Sequence, residues 1–114
     1  MNLKSLIAPY LDTVEGLGWI IEVTETSVGT YRHFKNGKLR KTPDVRIEYY
    51  EYQHDYLDVD DEGELFKVEK LSERPWYVTS THTNEASTYK YFDRAVLRFL
   101  ELAQSEAGEF GLPG

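Results

Sequence analysis

Two amphipathic helix patterns, one near each end of the chain, constrain the fold more than any other feature. Near the N-terminus apolar residues recur at helical spacing, and they are Leu3, Leu6, Ile7, Tyr10, Leu11 and Val14. The second pattern has the same spacing and consists of Phe92, Ala95, Val96, Phe99, Leu100 and Ala103. Pro9 interrupts the first helix, so a kink is expected there. Each apolar stripe has to be buried against another element.

Between the two helices, apolar and polar residues alternate with a period of two, which is typical of strands. The alternating runs are GWIIEVTETS, DVRIEYYEYQHDYLDV, ELFKVEKL and WYVTSTHT, and Asn36-Gly37 predicts a tight hairpin turn with a strand on each side. No repeat or linker divides the sequence, which predicts one α+β domain over residues 1–114. We expect an N-terminal helix, an antiparallel meander of about five strands and a C-terminal helix, with both helices on one face of the sheet.

The boundaries of the second helix follow from polar and glycine residues. Asn84, Ser87 or Thr88 could cap its start, and Gly108 is suited to stop it. Residues 108–114 are then expected to form a flexible tail unless Phe110 or Leu112 docks on the core.

The formal net charge of −7 is distributed unevenly along the chain. Residues 26–43 contain five basic side chains and no acid, whereas residues 44–64 contain nine acids and a single Arg. An acidic chain is poorly suited to neutralise phosphates, so direct binding to nucleic acid is not expected. The uneven charge instead favours a basic protein as partner.

Composition also limits the cellular compartment that is expected and the kinds of catalytic and metal site that are possible. The sequence has no cysteine, which excludes a disulfide framework, a thiolate metal site and a cysteine nucleophile. It has neither the apolar core of a signal peptide nor an apolar run long enough to span a membrane. A cytoplasmic protein without membrane association is therefore expected.

The stretch DVDDEGELFKVE, residues 58–69, has the spacing of a calcium-binding loop. Asp58, Asp60, Glu62 and Glu69 occupy positions 1, 3, 5 and 12 of such a loop, and Gly63 occupies the turn position. The preceding residues predict a strand, however, whereas this loop type needs an entering helix. We therefore interpret the stretch as an acidic turn between two strands, with calcium binding as the alternative, and predict no metal or cofactor.

Histidine and serine residues offer little support for catalysis. His33, His54 and His82 lie in separate predicted strands without a paired metal-binding spacing. Ser80 is near His82 in sequence, but it lacks the glycine-flanked elbow of an activated nucleophile. No catalytic residue is predicted and the chain is not expected to be an enzyme. The alternative is a metal- or small-ligand-dependent enzyme that uses the histidine and acidic clusters.

Tyrosines concentrate in the acidic half of the chain, where four of nine fall between residues 49 and 56. If Val45 and Ile47 face the core, alternation directs Tyr50 and Tyr52 outward. Tyrosine is enriched in interface hot spots, and neighbouring carboxylates steer and select basic partners. The predicted partner-binding residues are Tyr50, Tyr52, Tyr56, Asp55, Asp58, Asp60, Asp61 and Glu62.

In size, acidity and helix–sheet–helix order, the chain resembles the small immunity proteins that neutralise bacterial toxins and the phage-encoded inhibitors of host defence. The resemblance implies a bacterial or phage inhibitor and carries over no individual site residue. The sequence therefore predicts a small acidic, non-enzymatic binding module that caps a basic site on a partner protein. A structural homodimer, in which the basic segment of one copy meets the acidic segment of the other, is a further alternative.

Overall fold

The chain is described by a computed structural model over residues 2–32, 42–52, 57–67 and 70–113. Its helices are α1 (Leu3–Ile7), α2 (Leu11–Gly16) and α3 (Phe92–Glu109), with a 3-10 turn, Ala8–Tyr10, between the first two. Its strands are β1 (Ile20–Val23), β2 (Ser27–Tyr31), β3 (Val45–Tyr49), β4 (Leu57–Val59), β5 (Leu65–Lys67), β6 (Trp76–Ser80) and β7 (Glu85–Tyr89). This order confirms the predicted α+β fold.

Five strands form one antiparallel sheet in the order β1-β2-β3-β6-β7, and β4 and β5 form a separate two-stranded sheet. The number of strands in the main sheet is the predicted one, but its membership is not. The strand predicted in ELFKVEKL is β5 and leaves the sheet, while β7 takes the fifth place. Asn36-Gly37 lies outside the described residues, and the flanking β2 and β3 are antiparallel neighbours.

The N-terminal helix is bent at the predicted point. Pro9 lies in the 3-10 turn, where its missing N–H removes a helical hydrogen bond. Asn2 caps α1, and its Oδ1 accepts the Ser5 N–H at 3.4 Å. Ile7 and Val14, on either side of the turn, are both fully buried. The apolar stripe is therefore continuous across the kink.

One face of the sheet carries the core, and all three helices contribute to it. Val45 and Ile47 of β3 are fully buried, as the alternation in this strand predicts. From α3 the buried apolar side chains are Ala95, Val96, Phe99, Leu102, Ala103 and Ala107. The two stripes predicted from the sequence thus pack on the same face of the sheet.

The predicted cap residues of α3 were wrong. Asn84 lies in the turn after β6 with a φ of 56°, and Ser87 and Thr88 belong to β7, opposite Val78 and Tyr77. The helix begins later, after Tyr91, which makes no side-chain capping hydrogen bond. The polar residues of β7 hide the apolar alternation by which a strand is recognised, and they resemble helix caps instead.

The C-terminal end of α3 also differs from the prediction, because Gly111 rather than Gly108 terminates it. Gly111 has a φ of 63°, its N–H donates to the Gly108 carbonyl at 3.2 Å, and the Leu112 N–H donates to the Ala107 carbonyl at 3.0 Å. These two bonds form a Schellman motif, which favours glycine in the left-handed position. Phe110 and Leu112 pack against the core, which is the docking that the sequence left open.

An ion pair ties β7 to α3. The Arg98 guanidinium donates through Nε to Glu85 Oε2 at 2.8 Å and through Nη2 to Glu85 Oε1. Its Nη1 donates to Glu101 Oε2 at 3.2 Å. The bidentate hydrogen bond from Arg98 lowers the pKa of Glu85.

Replacing Glu85 by Gln should destabilise the fold in a pH-dependent way. Because folding lowers the pKa of Glu85, its contribution is present above the ordinary carboxyl pKa and is lost as the pH falls through the lowered value. Both side chains are partly exposed, so solvent screening limits the expected loss at neutral pH to about 0.5–1 kcal/mol. Urea unfolding at about pH 7 and about pH 3 measures it. An equal loss at both pH values would contradict the assignment, and Glu101→Gln, which removes one exposed contact, should cost less.

Candidate functional site

The pairing of β3 with β6 continues beyond the main sheet as a two-stranded ribbon. Its described contacts are the Tyr50 N–H to the Pro75 carbonyl at 2.8 Å, the Ser72 N–H to the Glu51 carbonyl at 2.9 Å, and the bridge between Tyr52 and Leu71. The chain continues from this ribbon into β4 and returns from β5, and the molecule measures 59 Å along one axis against 29 and 22 Å along the others. We call residues 50–52, 57–67 and 70–75 the arm, and residues 59–65 its tip.

The turn at the tip is closed by the Asp60 side chain. Asp60 Oδ1 accepts the N–H groups of Glu62 and Glu64, each at 2.9 Å. Two backbone bonds of 3.0 Å join the Asp60 N–H to the Glu64 carbonyl and the Gly63 N–H to the Asp60 carbonyl. Gly63 has a φ of 82°, which suits glycine. The Asp60 carboxylate therefore shapes the turn rather than pointing freely into solvent.

This geometry agrees with the predicted acidic turn. Strands β4 and β5 flank it, whereas a calcium loop of this spacing is flanked by helices. Asp60 is occupied by backbone amides, and Glu69 lies outside the described residues. Across the described ranges, no group of three or more His, Asp or Glu side chains is placed to hold a metal ion.

The tip exposes acidic and aliphatic side chains together. Asp61, Glu62 and Glu64 are exposed, and Val59 and Leu65, a cross-strand pair, are 55% and 67% exposed. Because paired residues in an antiparallel ribbon point to the same side, the two aliphatic side chains form one patch. Two aliphatic side chains and several carboxylates are therefore exposed together at the tip.

Tyr50 and Tyr52 both point outward at the base of the arm, as predicted, with exposed fractions of 37% and 43%. They are not equivalent, because the Tyr50 ring packs edge-on against Tyr77 at 5.0 Å and its hydroxyl donates to Glu48 Oε2. The hydrogen bond to Glu48, with a smaller effect of burial, raises the pKa of Tyr50 to about 12. Tyr50 is thus partly committed to the sheet, and Tyr52 is the more exposed of the two.

The remaining predicted partner-binding residues are only partly described. Asp55 and Tyr56 lie outside the described residues, as do His33 and His54. The backbone of Asp58 lies in β4, opposite Phe66. Among the described residues, the predicted set is therefore divided between the base of the arm, strand β4 and the tip.

A polar cluster that was not predicted from the sequence lies at the opposite end of the β3–β6 pair. Asp44, just before β3, and Glu106, in α3, are each only 1% exposed. Arg32 Nε donates to Asp44 Oδ2 at 3.1 Å, and Ser80 Oγ donates to Glu106 Oε2 at 2.6 Å. A cleft of about 420 Å³ beside these groups is lined by Arg32, Asp44, Thr81, His82 and Phe110. No local pattern reveals the cluster, because its members come from four separate segments.

Ser80 and His82, weighed from the sequence as a nucleophile and its base, have different partners. Ser80 donates to Glu106 and accepts the Thr83 N–H at 3.2 Å. His82 contacts the Glu109 carboxylate through Nε2, and its ring lies 4.8 Å from the Phe110 ring. The Ser80 hydroxyl is therefore held by a buried acid and a backbone amide.

Comparison of the chain with protein-family models, with curated proteins and with solved structures found no match. None of the described helices combines the length and the apolar character needed to cross a membrane. Function has to be inferred from the geometry and charge of the residues themselves.

Replacing Asp60 by Ala should loosen the tip, because two amide hydrogen bonds lose their acceptor. Asp60→Asn should preserve the turn, since the Asn side-chain oxygen can accept the same bonds. We expect hydrogen exchange at the Glu62 and Glu64 amides to accelerate on the order of tenfold in Asp60→Ala, as the loss of about one net hydrogen bond implies. Asp61→Ala is the matched control, and equal exchange rates in the two Ala variants would contradict the assignment.

Proposed function

We propose that this chain is a small acidic, non-enzymatic binding protein whose arm caps a basic site on a partner protein. The observation that carries the proposal is the composition of the tip. Exposed carboxylates surround an exposed Val59–Leu65 pair on a turn that Asp60 holds in shape. A basic groove that normally receives nucleic acid, as in a toxin or nuclease-like protein, has the complementary charge.

The tip combines the two contributions that interfaces require. Asp61, Glu62 and Glu64 are solvated, so their charges act over distance and accelerate the approach of a basic surface. Val59 and Leu65 supply apolar area that leaves water only when a partner arrives. Residues 58–64 contain five acids and no basic residue, so the local charge is of one sign.

Tyr52 and Tyr50 extend the surface toward the sheet. Tyrosine loses little conformational entropy on binding and supplies a large apolar ring with a polar end. Because Tyr50 is already packed against Tyr77 and bonded to Glu48, its ring is held in place before binding. A preorganised ring lowers the entropy cost of association.

Charge reversal at the tip tests the electrostatic part of the proposal. The Asp61→Lys/Glu62→Lys variant should retain the fold, because neither side chain closes the turn. We expect its association with the captured basic partner to slow by about tenfold in low salt, and the difference to shrink in high salt. Capture of host proteins at about 0.05 M and about 0.5 M salt, followed by surface-binding kinetics, measures both effects.

The matched control is Glu15→Lys/Glu22→Lys, which changes the net charge equally at exposed positions outside the arm, in α2 and β1. If both double variants lose the partner to the same degree, net charge rather than the tip governs binding and the proposal fails. Light scattering of the chain alone separates a second possibility. A dimer that dissociates in the tip variant would identify a second copy as the occupant, and the structural homodimer would replace the inhibitor.

Replacing exposed side chains of the arm by Ala tests the apolar contribution to partner binding. Tyr52→Ala and Leu65→Ala should each weaken partner binding by roughly 1–2 kcal/mol, mainly through faster dissociation. Tyr50→Phe removes only the hydroxyl bonded to Glu48 and should leave dissociation almost unchanged. Leu97→Ala, at an exposed position of α3, is the control, and equal dissociation rates for Tyr52→Ala, Leu65→Ala and this control would contradict the role of the arm.

A further inference from the structure

Two carboxyl groups are buried at the end of the molecule away from the arm, and their hydrogen-bond and ion-pair partners differ. Asp44 faces the Arg32 guanidinium, with 3.1 Å between Nε and Oδ2. Among the described residues no guanidinium or ammonium group is paired with Glu106, and its hydrogen bond there is the one from Ser80 Oγ to Oε2 at 2.6 Å. Within the described residues Glu106 Oε1 is buried without a hydrogen-bond partner. A carboxylate offers about four acceptor sites, so ionised Glu106 would leave most of them empty.

The groups that face Glu106 come from each element packed around it. Asp44 from the start of β3 and Glu109 from the next turn of α3 carry the same charge as an ionised Glu106, whereas a protonated His82 from the turn after β6 would attract it. Arg32, at the end of β2, is engaged with Asp44. Burial, with the neighbouring carboxylates, raises the pKa of Glu106 despite the bond from Ser80.

We propose that Glu106 is a proton-dependent latch that holds the C-terminal turn of α3 against the end of β6. Its neutral carboxyl fits the site, because a buried neutral acid needs fewer partners than a buried anion. Ionisation draws the side chain toward water and loosens the turn that carries Phe110 and Leu112. This device is independent of the arm and of the function proposed for it.

Phe110, which this turn carries, contacts neighbouring side chains, so loosening the turn would change their packing. Phe110 lies edge-on to Trp19 at 6.1 Å, and the Arg32 guanidinium lies 3.9 Å above the Phe110 ring. The Trp19 indole N–H donates to the Ala103 carbonyl at 2.9 Å. Movement of Phe110 therefore opens the cleft beside Asp44 and removes cover from Trp19.

The direction of the pH effect follows from linkage. Because folding raises the pKa of Glu106, its stabilising contribution is fully present below the ordinary carboxyl pKa and is lost as the pH rises through the raised value. The Glu85–Arg98 pair responds in the opposite direction, since it weakens as the pH falls. The two effects lie at different places in the fold and can be separated residue by residue.

Hydrogen exchange followed by NMR tests the latch. We expect protection of the Trp19 indole N–H and of the Leu112 amide, corrected for intrinsic exchange, to fall with rising pH by roughly tenfold for each unit by which folding raises the pKa. The Trp76 indole is the internal reference. Glu106→Gln cannot ionise and should make the protection independent of pH, whereas Glu101→Gln, an exposed carboxylate in the same helix, should keep the wild-type dependence.

A second measurement on the unmodified chain decides the matter even if Glu106→Gln does not fold. The ¹³C shift of the Glu106 carboxyl carbon reports its titration directly. A midpoint above that of Glu101, coincident with the loss of protection at Trp19 and Leu112, supports the latch. A midpoint equal to that of Glu101, or a loss of protection at Trp76 equal to that at Trp19, overturns it.

Discussion

The antiparallel pairing of β3 with β6 is the interaction on which the rest of the structure depends. Its register places Val45 opposite Ser80 and Tyr49 opposite Trp76, which aligns one apolar row toward the helices. Because a shift of one residue would turn every side chain to the other face, burial of this row holds the register. The same register determines where the ribbon leaves the sheet at one end and which polar groups meet α3 at the other.

The two ends of this strand pair place carboxylates in opposite environments. At the tip of the arm, Asp61 and Glu62 are exposed to water. At the other end, Asp44 and Glu106 are removed from water, where an anion needs a cation or several donors. Asp44 is paired with Arg32, whereas the hydrogen bond that Glu106 accepts among the described residues comes from the Ser80 hydroxyl. Acidic residues in one small chain therefore differ in role because their solvation differs.

Much of the architecture could be predicted because burial leaves a local periodic signature. The helical stripes and the inward row of β3 were recognised in this way, and the kink at Pro9 follows from its missing donor. β7 was not recognised, because Glu85 and Ser87 on its inner row are polar and one of them is satisfied by Arg98 from α3. A strand whose inner row is polar and is paired with the helix that follows it has no apolar alternation to detect.

In the candidate site, too, the features set by neighbouring residues could be predicted, whereas those formed by segments far apart in sequence could not. The acidic turn and the outward direction of Tyr52 follow from spacing and alternation, which are local. The structural role of Asp60 is also local, but spacing alone could not separate it from Asp61, since both are acids in one turn. The environment of Glu106 is formed by segments that meet only in the folded chain, so no sequence motif predicts it.

Local order at the base and at the tip of the arm bears on the proposed binding role. A short two-stranded ribbon has few apolar contacts of its own, so local hydrogen bonds and ring packing decide how well its side chains are held. Here the bond from Tyr50 to Pro75 and the packing of Tyr50 on Tyr77 anchor the base, while Asp60 closes the tip. The turn at the tip and the Tyr50 ring are therefore each held in shape by their own local contacts. Preorganisation of this kind converts a modest area into useful affinity, because less conformational entropy is lost on association.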